Sequence, residues 1–220
     1  MNPSNVILFD QPAVRDNLLP LSYTRPVADF LLGITTLRQK WEHFIPGTYS
    51  YSTAGYLSEK YPKTLEADNL FIASNVIATR ELARAVSELA EGEALVAYTR
   101  SGNRILVARR GGAGMPVSAL SEVPEGILYD EKVDAVENLY DVFLLNSQQI
   151  TADFEVLTAG REGQSIPRSN TVIGDYEQIF IESGAVVEGV VLNASHGPIY
   201  VGRHVEIMEG SCLRGPIALG

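Results

Sequence analysis

At 220 residues the chain is long enough for one large domain or two, with a core of ordinary size. Apolar residues make up 45% and charged residues 20%, the balance of a globular protein, and no run approaches the roughly 18 apolar residues of a membrane span. A net charge of −10 argues against non-specific binding to nucleic acid or an anionic membrane, and one cysteine, Cys212, leaves no partner for an internal disulfide.

The opening MNPSNVILFDQP has no basic n-region, and its apolar run is too short for a signal peptide, so a cytoplasmic location is expected. Val6-Ile7-Leu8-Phe9 is a continuous apolar run between polar neighbours, as in a buried parallel strand. Pro12, Pro20 and Pro26 exclude a long helix until after Pro26. Leu37, Trp41, Phe44 and Ile45 share one helical face, with Thr35 or Thr36 as the cap. Tyr49 to Thr53 reads as a strand, Gly55 to Tyr61 as a short helix, and Leu70-Phe71-Ile72-Ala73 as a second buried strand.

Thr79 is placed to cap a helix whose apolar face is Leu82, Val86 and Leu89. Ala94 to Tyr98 and Arg104 to Ala108 form strands around the turn Ser101-Gly102-Asn103. Gly111 to Gly114 reads as a connector, because Met115-Pro116 follows and no strong helix does. From Asp134 the pattern is helical: Val136, Leu139, Tyr140 and Phe143 share one face, which Ser147, Ile150 and Phe154 extend. Residues 161–170 have no apolar periodicity and read as a link. Strands alternating with helices predict an α/β domain with a mostly parallel sheet.

Residues 179–220 follow another rule. Gly197-Pro198-Ile199 returns as Gly215-Pro216-Ile217, 18 residues later, with an inner beat of six carried by Ile199/Val201, Val205/Ile207, Ser211/Leu213 and Ile217/Leu219. Residues two apart on a strand face the same way, so each pair can point inward on one of three short strands per coil. Projected back, the preceding coil would use Ile181/Ser183, Val187/Gly189 and Asn193/Ser195, with Gly184, Gly202 and Gly220 at one corner. An antiparallel sheet with evenly spaced turns is the alternative, and the identical repeat argues against it.

This segment resembles the hexapeptide-repeat, left-handed parallel β-helix proteins, most of which are acyltransferases. The resemblance implies the left-handed turn, association of copies through residues 179–220, and an array truncated here after its first coils. It also implies a catalytic histidine in later coils, so His196 and His204 read as solvated corner residues.

Two earlier stretches resemble the sugar nucleotidyltransferase family. Asn17-Leu18-Leu19-Pro20-Leu21-Ser22-Tyr23-Thr24-Arg25-Pro26 tracks the family's R-L-x-P-L-T-x-x-x-P-K signature, and Leu70 to Val76 sits where the family has a strand ending in N-G-D. With the coils, the layout is similar to the bifunctional N-acetylglucosamine-1-phosphate uridylyltransferases/glucosamine-1-phosphate acetyltransferases. The resemblance implies a Rossmann-like nucleotidyltransferase domain over residues 1–160, a link over 161–175 and coils over 176–220. It further implies a nucleotide sugar or sugar 1-phosphate as ligand, with Arg15 and Arg25 as catalytic cations. Asn17, Thr24, Lys40, Ser74 and Asn75 would be the substrate-binding residues.

Three positions depart from the family pattern. Asp10-Gln11-Pro12-Ala13-Val14-Arg15 stands in place of a glycine-rich phosphate loop, Val27 in place of a lysine, and Asn75 in place of the aspartate that would bind Mg²⁺. A neutral amide is a weaker Mg²⁺ ligand than a carboxylate. Two readings stay open: an enzyme transferring a nucleotidyl group to a sugar 1-phosphate, and a catalytically degenerate module that keeps the fold for binding or assembly. For Arg25 two roles also stay open, a phosphate contact or an ion pair with Asp29 that pins its loop.

Overall fold

The computed structural model describes residues 4–220; residues 1–3 of the opening stretch lie outside them. The chain divides into two compact units. Residues 4–31 with Thr35–Val142 form the first, and Leu32–Ile34 with Phe143–Gly220 the second. Among the described residues no helix is long and apolar enough to cross a membrane.

In the first unit β1 (Ser4–Phe9) is followed by α1 (Pro12–Asn17), which has Pro12 at its first turn, where no N–H is needed. Two-residue strands β2 (Leu31–Leu32) and β3 (Thr35–Thr36) precede α2 (Leu37–Phe44). Thr36 accepts from the Gln39 N–H while Gln39 reaches back to the Thr36 N–H, a reciprocal cap worth about 1 kcal/mol. β4 (Gly47–Ser52), β5 (Asn69–Ala73), α3 (Arg80–Ser87), β6 (Ala94–Tyr98), β7 (Arg104–Gly111) and β8 (Ile127–Leu128) follow. Thr79 caps α3 by accepting from Leu82 N–H. Only Gly55–Leu57 of the helix expected over 55–61 forms, as one 3₁₀ turn, and Gly111 belongs to β7 rather than to a loop.

The strands make a six-stranded sheet in the order β4-β1-β5-β7-β6-β8. β4, β1 and β5 run parallel, β7 runs antiparallel to both neighbours, and β8 is parallel to β6. The fold is therefore mixed α/β with a parallel-rich central sheet. Val6, Ile7, Leu8, Leu70, Phe71 and Ile72 are buried in the core with Trp41 of α2 and with Leu82, Val86 and Leu89 from α3 and its end. The Trp41 indole N–H donates to Val76 O at 2.9 Å, so the one polar atom of a fully buried ring is satisfied.

The helical reading from Asp134 is corrected. Helix α4 spans Asp141–Thr158, and the residues before it are extended: Ala135 bridges Val76, Val133 bridges Thr99, and Val136 N–H donates to Asn75 O at 2.9 Å. The backbone donors that a helix would use are taken by the ends of β5 and β6, and the Asp141 carboxylate accepts from Glu137 and Asn138 N–H. Tyr140 and Phe143 are 59% and 81% exposed rather than on a buried face, whereas Ile150 and Phe154 are buried.

In the second unit the stretch expected as a link carries β9 (Thr171–Ile173). β10 (Ile179–Ile181), β11 (Val186–Val187), β12 (Val191–Asn193), β13 (Ile199–Val201), β14 (Glu206–Ile207), β15 (Cys212–Arg214) and β16 (Ile217–Leu219) follow. They form three wholly parallel sheets, β15-β12-β9, β10-β13-β16 and β11-β14, which fit a β-helix-like region around Ile181, Val187, Leu192, Ile199 and Val201.

The identical Gly-Pro-Ile repeat has a steric cause. A Cβ on Gly215 would lie 2.0 Å from the carbonyl oxygen of Gly197, so stacked corners admit no side chain. Ile199 stacks on Ile217 at the expected spacing of 18, but Ile179 stacks on Ile199 at 20 and Leu192 on Leu213 at 21. The earlier coil is longer, so its inward pair is Ile179 and Ile181, and Leu192 replaces Asn193/Ser195. The corner shifts likewise. Gly202 lies beside Gly220, whereas Gly184 lies against the His204 ring, and both Gly184 and His204 have positive φ, 85° and 59°.

Candidate active site

β1, β4 and β5 are adjacent and parallel, with Phe9 in register with Ser52 on one side and Ala73 on the other. The next residue of each strand therefore arrives at one end of the sheet: Asp10, Thr53 and Ser74. That end is where open α/β sheets bind ligands. The backbone ties it further, with Asp10 N–H donating to Ser52 O and Ser74 N–H to Phe9 O, both at 2.9 Å.

The three side chains meet on the Asp10 carboxylate. Ser74 Oγ donates to Oδ1 at 2.5 Å and Thr53 Oγ1 to Oδ2 at 2.6 Å, with Val27 N–H on Oδ1 at 3.2 Å. Arg15 completes the set at 3.4 Å, its side chain 9% exposed and that of Asp10 1%. Burial pushes the Asp10 carboxyl above the ordinary range, against the pull of the bonds from Ser74, Thr53 and Val27 and of the Arg15 charge.

Arg15 is a junction. Besides Asp10, its guanidinium donates to the carbonyl oxygens of Ser22 and Arg25 and to the Tyr56 hydroxyl, and the Tyr56 O–H in turn donates to Tyr23 O. Ser22 Oγ answers by donating to Arg15 O at 2.8 Å. The segment 22–25 therefore wraps around the Arg15 side chain. Beside it lies a cavity of about 460 Å³ lined by Asp10, Asp16, Tyr23, Thr53, Tyr56 and Leu120 among others.

Of the residues expected from the sequence, Arg15 and Ser74 are brought together, through Asp10. The side chains of the others do not join this cluster. Thr24 and Arg25 line a separate hollow of about 290 Å³ with Phe30 and Val142. Among the described residues no ion pair joins Arg25 to Asp29, whose carboxylate accepts from the Tyr51 hydroxyl instead. Asn17 is exposed at the end of α1. Lys40 is buried and donates to Thr35 Oγ1 at 3.3 Å. Asn75 is 3% exposed, and its Nδ2 has no partner among the described residues.

The sequence reading treats Asp10 as a missing glycine rather than as a carboxylate, and passes over Thr53 and Tyr56. The available signal was position: each polar residue directly follows, or lies just beyond, a strand of this end.

The Mg²⁺ that the resemblance implies does not fit these residues. The position of its aspartate holds a buried amide, and both oxygens of the nearby carboxylate, Asp10, are already taken by four donors. Among the described residues no group of three or more His, Cys, Asp or Glu could hold a metal ion.

A family described as sugar nucleotidyl transferase has a model that matches residues 6–162. None of the curated proteins matches the chain.

Proposed function

Because the chain belongs to the sugar nucleotidyl transferase family, we propose that it binds a nucleotide sugar or sugar 1-phosphate where β1, β4 and β5 end, and serves nucleotidyl transfer to the sugar phosphate there. The observation that carries the reading is the meeting of Asp10, Thr53 and Ser74 beside the 460 Å³ cavity, at the strand ends.

Tyr23 and Tyr56, tilted rings 6.3 Å apart, and Leu120 offer the cavity's contact for a sugar or base ring. A phosphate extending beyond the cavity would meet Arg25, exposed and with no ion pair among the described residues, and the Thr24 hydroxyl in the separate hollow that these two line. Arg15 acts as a positioning residue, holding both segments through Asp10 and the Arg25 carbonyl. The product in this reading resembles UDP-N-acetylglucosamine. The second unit is then a left-handed coil of the hexapeptide acyltransferase type, through which copies of the chain associate.

The test is calorimetry with UDP-N-acetylglucosamine together with pyrophosphate release from UTP and N-acetylglucosamine 1-phosphate. Binding and turnover are expected; no heat with any sugar nucleotide would overturn the site. A second reading, a catalytically degenerate binding module, is favoured by one observation: the Arg15 guanidinium is occupied by protein acceptors. Tight binding without pyrophosphate release would select it.

A further inference from the structure

A second hollow lies between α2 and α3, about 260 Å³, and no residue lines both it and the strand-end cavity. Its walls are His43, Phe44, Arg80, Ala83, Arg84 and Ser87, so it presents two guanidiniums and an imidazole and no carboxylate. In a chain of net charge −10 such a cluster is a local reversal of sign.

Geometry prepares these groups. The Arg80 guanidinium lies over the Phe44 ring, 5.8 Å from its centroid, and His43 meets the same ring edge-on at 4.9 Å. Stacking fixes the plane of the Arg80 fork and leaves its N–H edge available, since Arg80 has no ion pair among the described residues. Arg84, one helical turn on, uses Nε for Glu88 at 2.9 Å and keeps its terminal nitrogens. Two arginines four residues apart on one helix repel, and one glutamate partner offsets only part of that. An anion between them would relieve the rest.

We propose that this hollow is an anion site, taking the phosphate group of a small phosphomonoester by bidentate contact with Arg80 and Arg84, with His43 as a further donor. The volume, just below the range of ligand pockets (roughly 300–1,000 Å³), suits a phosphate with a small substituent rather than a whole nucleotide sugar.

The test follows the Arg80 and Arg84 Nε–H resonances during titration with inorganic phosphate and with glucose 1-phosphate, at constant ionic strength. Both resonances are expected to move saturably at roughly millimolar ligand. Followed through the His43 ring resonances, which the variants keep, Arg80→Ala with Arg84→Ala should weaken binding about tenfold or more, and Arg80→Lys should keep part of it, because lysine supplies the charge without the fork. Both arginines are exposed on α3, so the fold should survive, and unchanged thermal unfolding of the double variant without phosphate verifies that. Arg25→Ala should leave these shifts intact, which separates this site from the strand-end reading. Resonances that stay still, shifts that never saturate, or a folded double variant that binds phosphate normally would overturn the proposal.

Discussion

Ser74 Oγ donates to Asp10 Oδ1 at 2.5 Å, joining the ends of β5 and β1 across 64 positions of sequence. A hydrogen bond to a charged group contributes about 1.5–3 kcal/mol, so Ser74→Ala should lower the unfolding free energy of the first unit by about that much. Urea unfolding followed by the fluorescence of buried Trp41 measures it; a loss below about 0.5 kcal/mol would mean the bond is not formed.

The pH dependence of that knot has a definite sign. Burial holds the Asp10 carboxyl above its unfolded value of about 3.9, so its contribution is fully present below that value and declines as pH rises through the folded pKa. Ser74→Ala removes a donor that favours the charged form, and should steepen the decline. Equal pH slopes for the two proteins between about pH 3 and 7 would contradict the assignment.

Arg15 and Arg25 should separate cleanly by phenotype. Arg15→Ala removes four contacts from a buried guanidinium and leaves Asp10 without its cation, a loss of about 3–5 kcal/mol in stability. Arg25→Ala should stay within about 0.5 kcal/mol in stability and weaken UDP-N-acetylglucosamine by more than about 1.5 kcal/mol. An Arg25→Ala protein that binds normally by calorimetry would remove Arg25 from the site.

Sugar-nucleotide affinity should be nearly the same in Mg²⁺ and in EDTA, because Asn75 offers no carboxylate and Asp10 is already saturated with donors. Paired titrations measure it. A tenfold or larger gain with Mg²⁺ would show that carboxylates elsewhere, or the ligand itself, assemble a metal site.

On the second unit, Glu182 accepts from Arg161 through both carboxylate oxygens at 2.8 Å and from the Tyr200 hydroxyl at 2.7 Å. Burial alone would raise its pKa; the bonds from Tyr200 and Arg161 outweigh that and hold it below the ordinary value. Its stabilisation is therefore present above about pH 4.3 and lost as pH falls through the folded pKa. Amide protection in β10 and β13, taken relative to the intrinsic exchange rate at each pH, should fall on acidification, less steeply in Tyr200→Phe. Identical slopes would show that Tyr200 does not set the Glu182 pKa.

Much of the first unit was legible because its signals are local. The apolar runs at 6–9 and 70–73 form strands whatever lies beside them, and Thr36 and Thr79 cap helices through bonds to residues three positions away. The segment after Asp134 misled for the opposite reason. Its helical periodicity is real, but Val136 and Ala135 bond to Asn75 and Val76, and those distant partners override a local pattern. In the coils the repeat of 18 was read correctly where stacked glycines enforce it, and failed one coil earlier, where wider turns lengthen the spacing to 20 without changing the apolar character of the strands.

The sequence by itself determined the strands at 6–9 and 70–73, the cap at Thr79, the family likeness, and the stacking of Ile199 on Ile217, because each depends on residues close in the chain or on an identical repeat. Only the tertiary structure decided what the charged residues do. Arg15 and Arg25 look equivalent on paper, yet one guanidinium is enclosed by Asp10, Ser22, Arg25 and Tyr56 while the other is exposed in a different hollow. A charged side chain is long and its energy is set by whichever dipoles and charges surround its tip. Those neighbours arrive from the end of β1, from the segment 22–25 and from the loop after β4, once the sheet has formed.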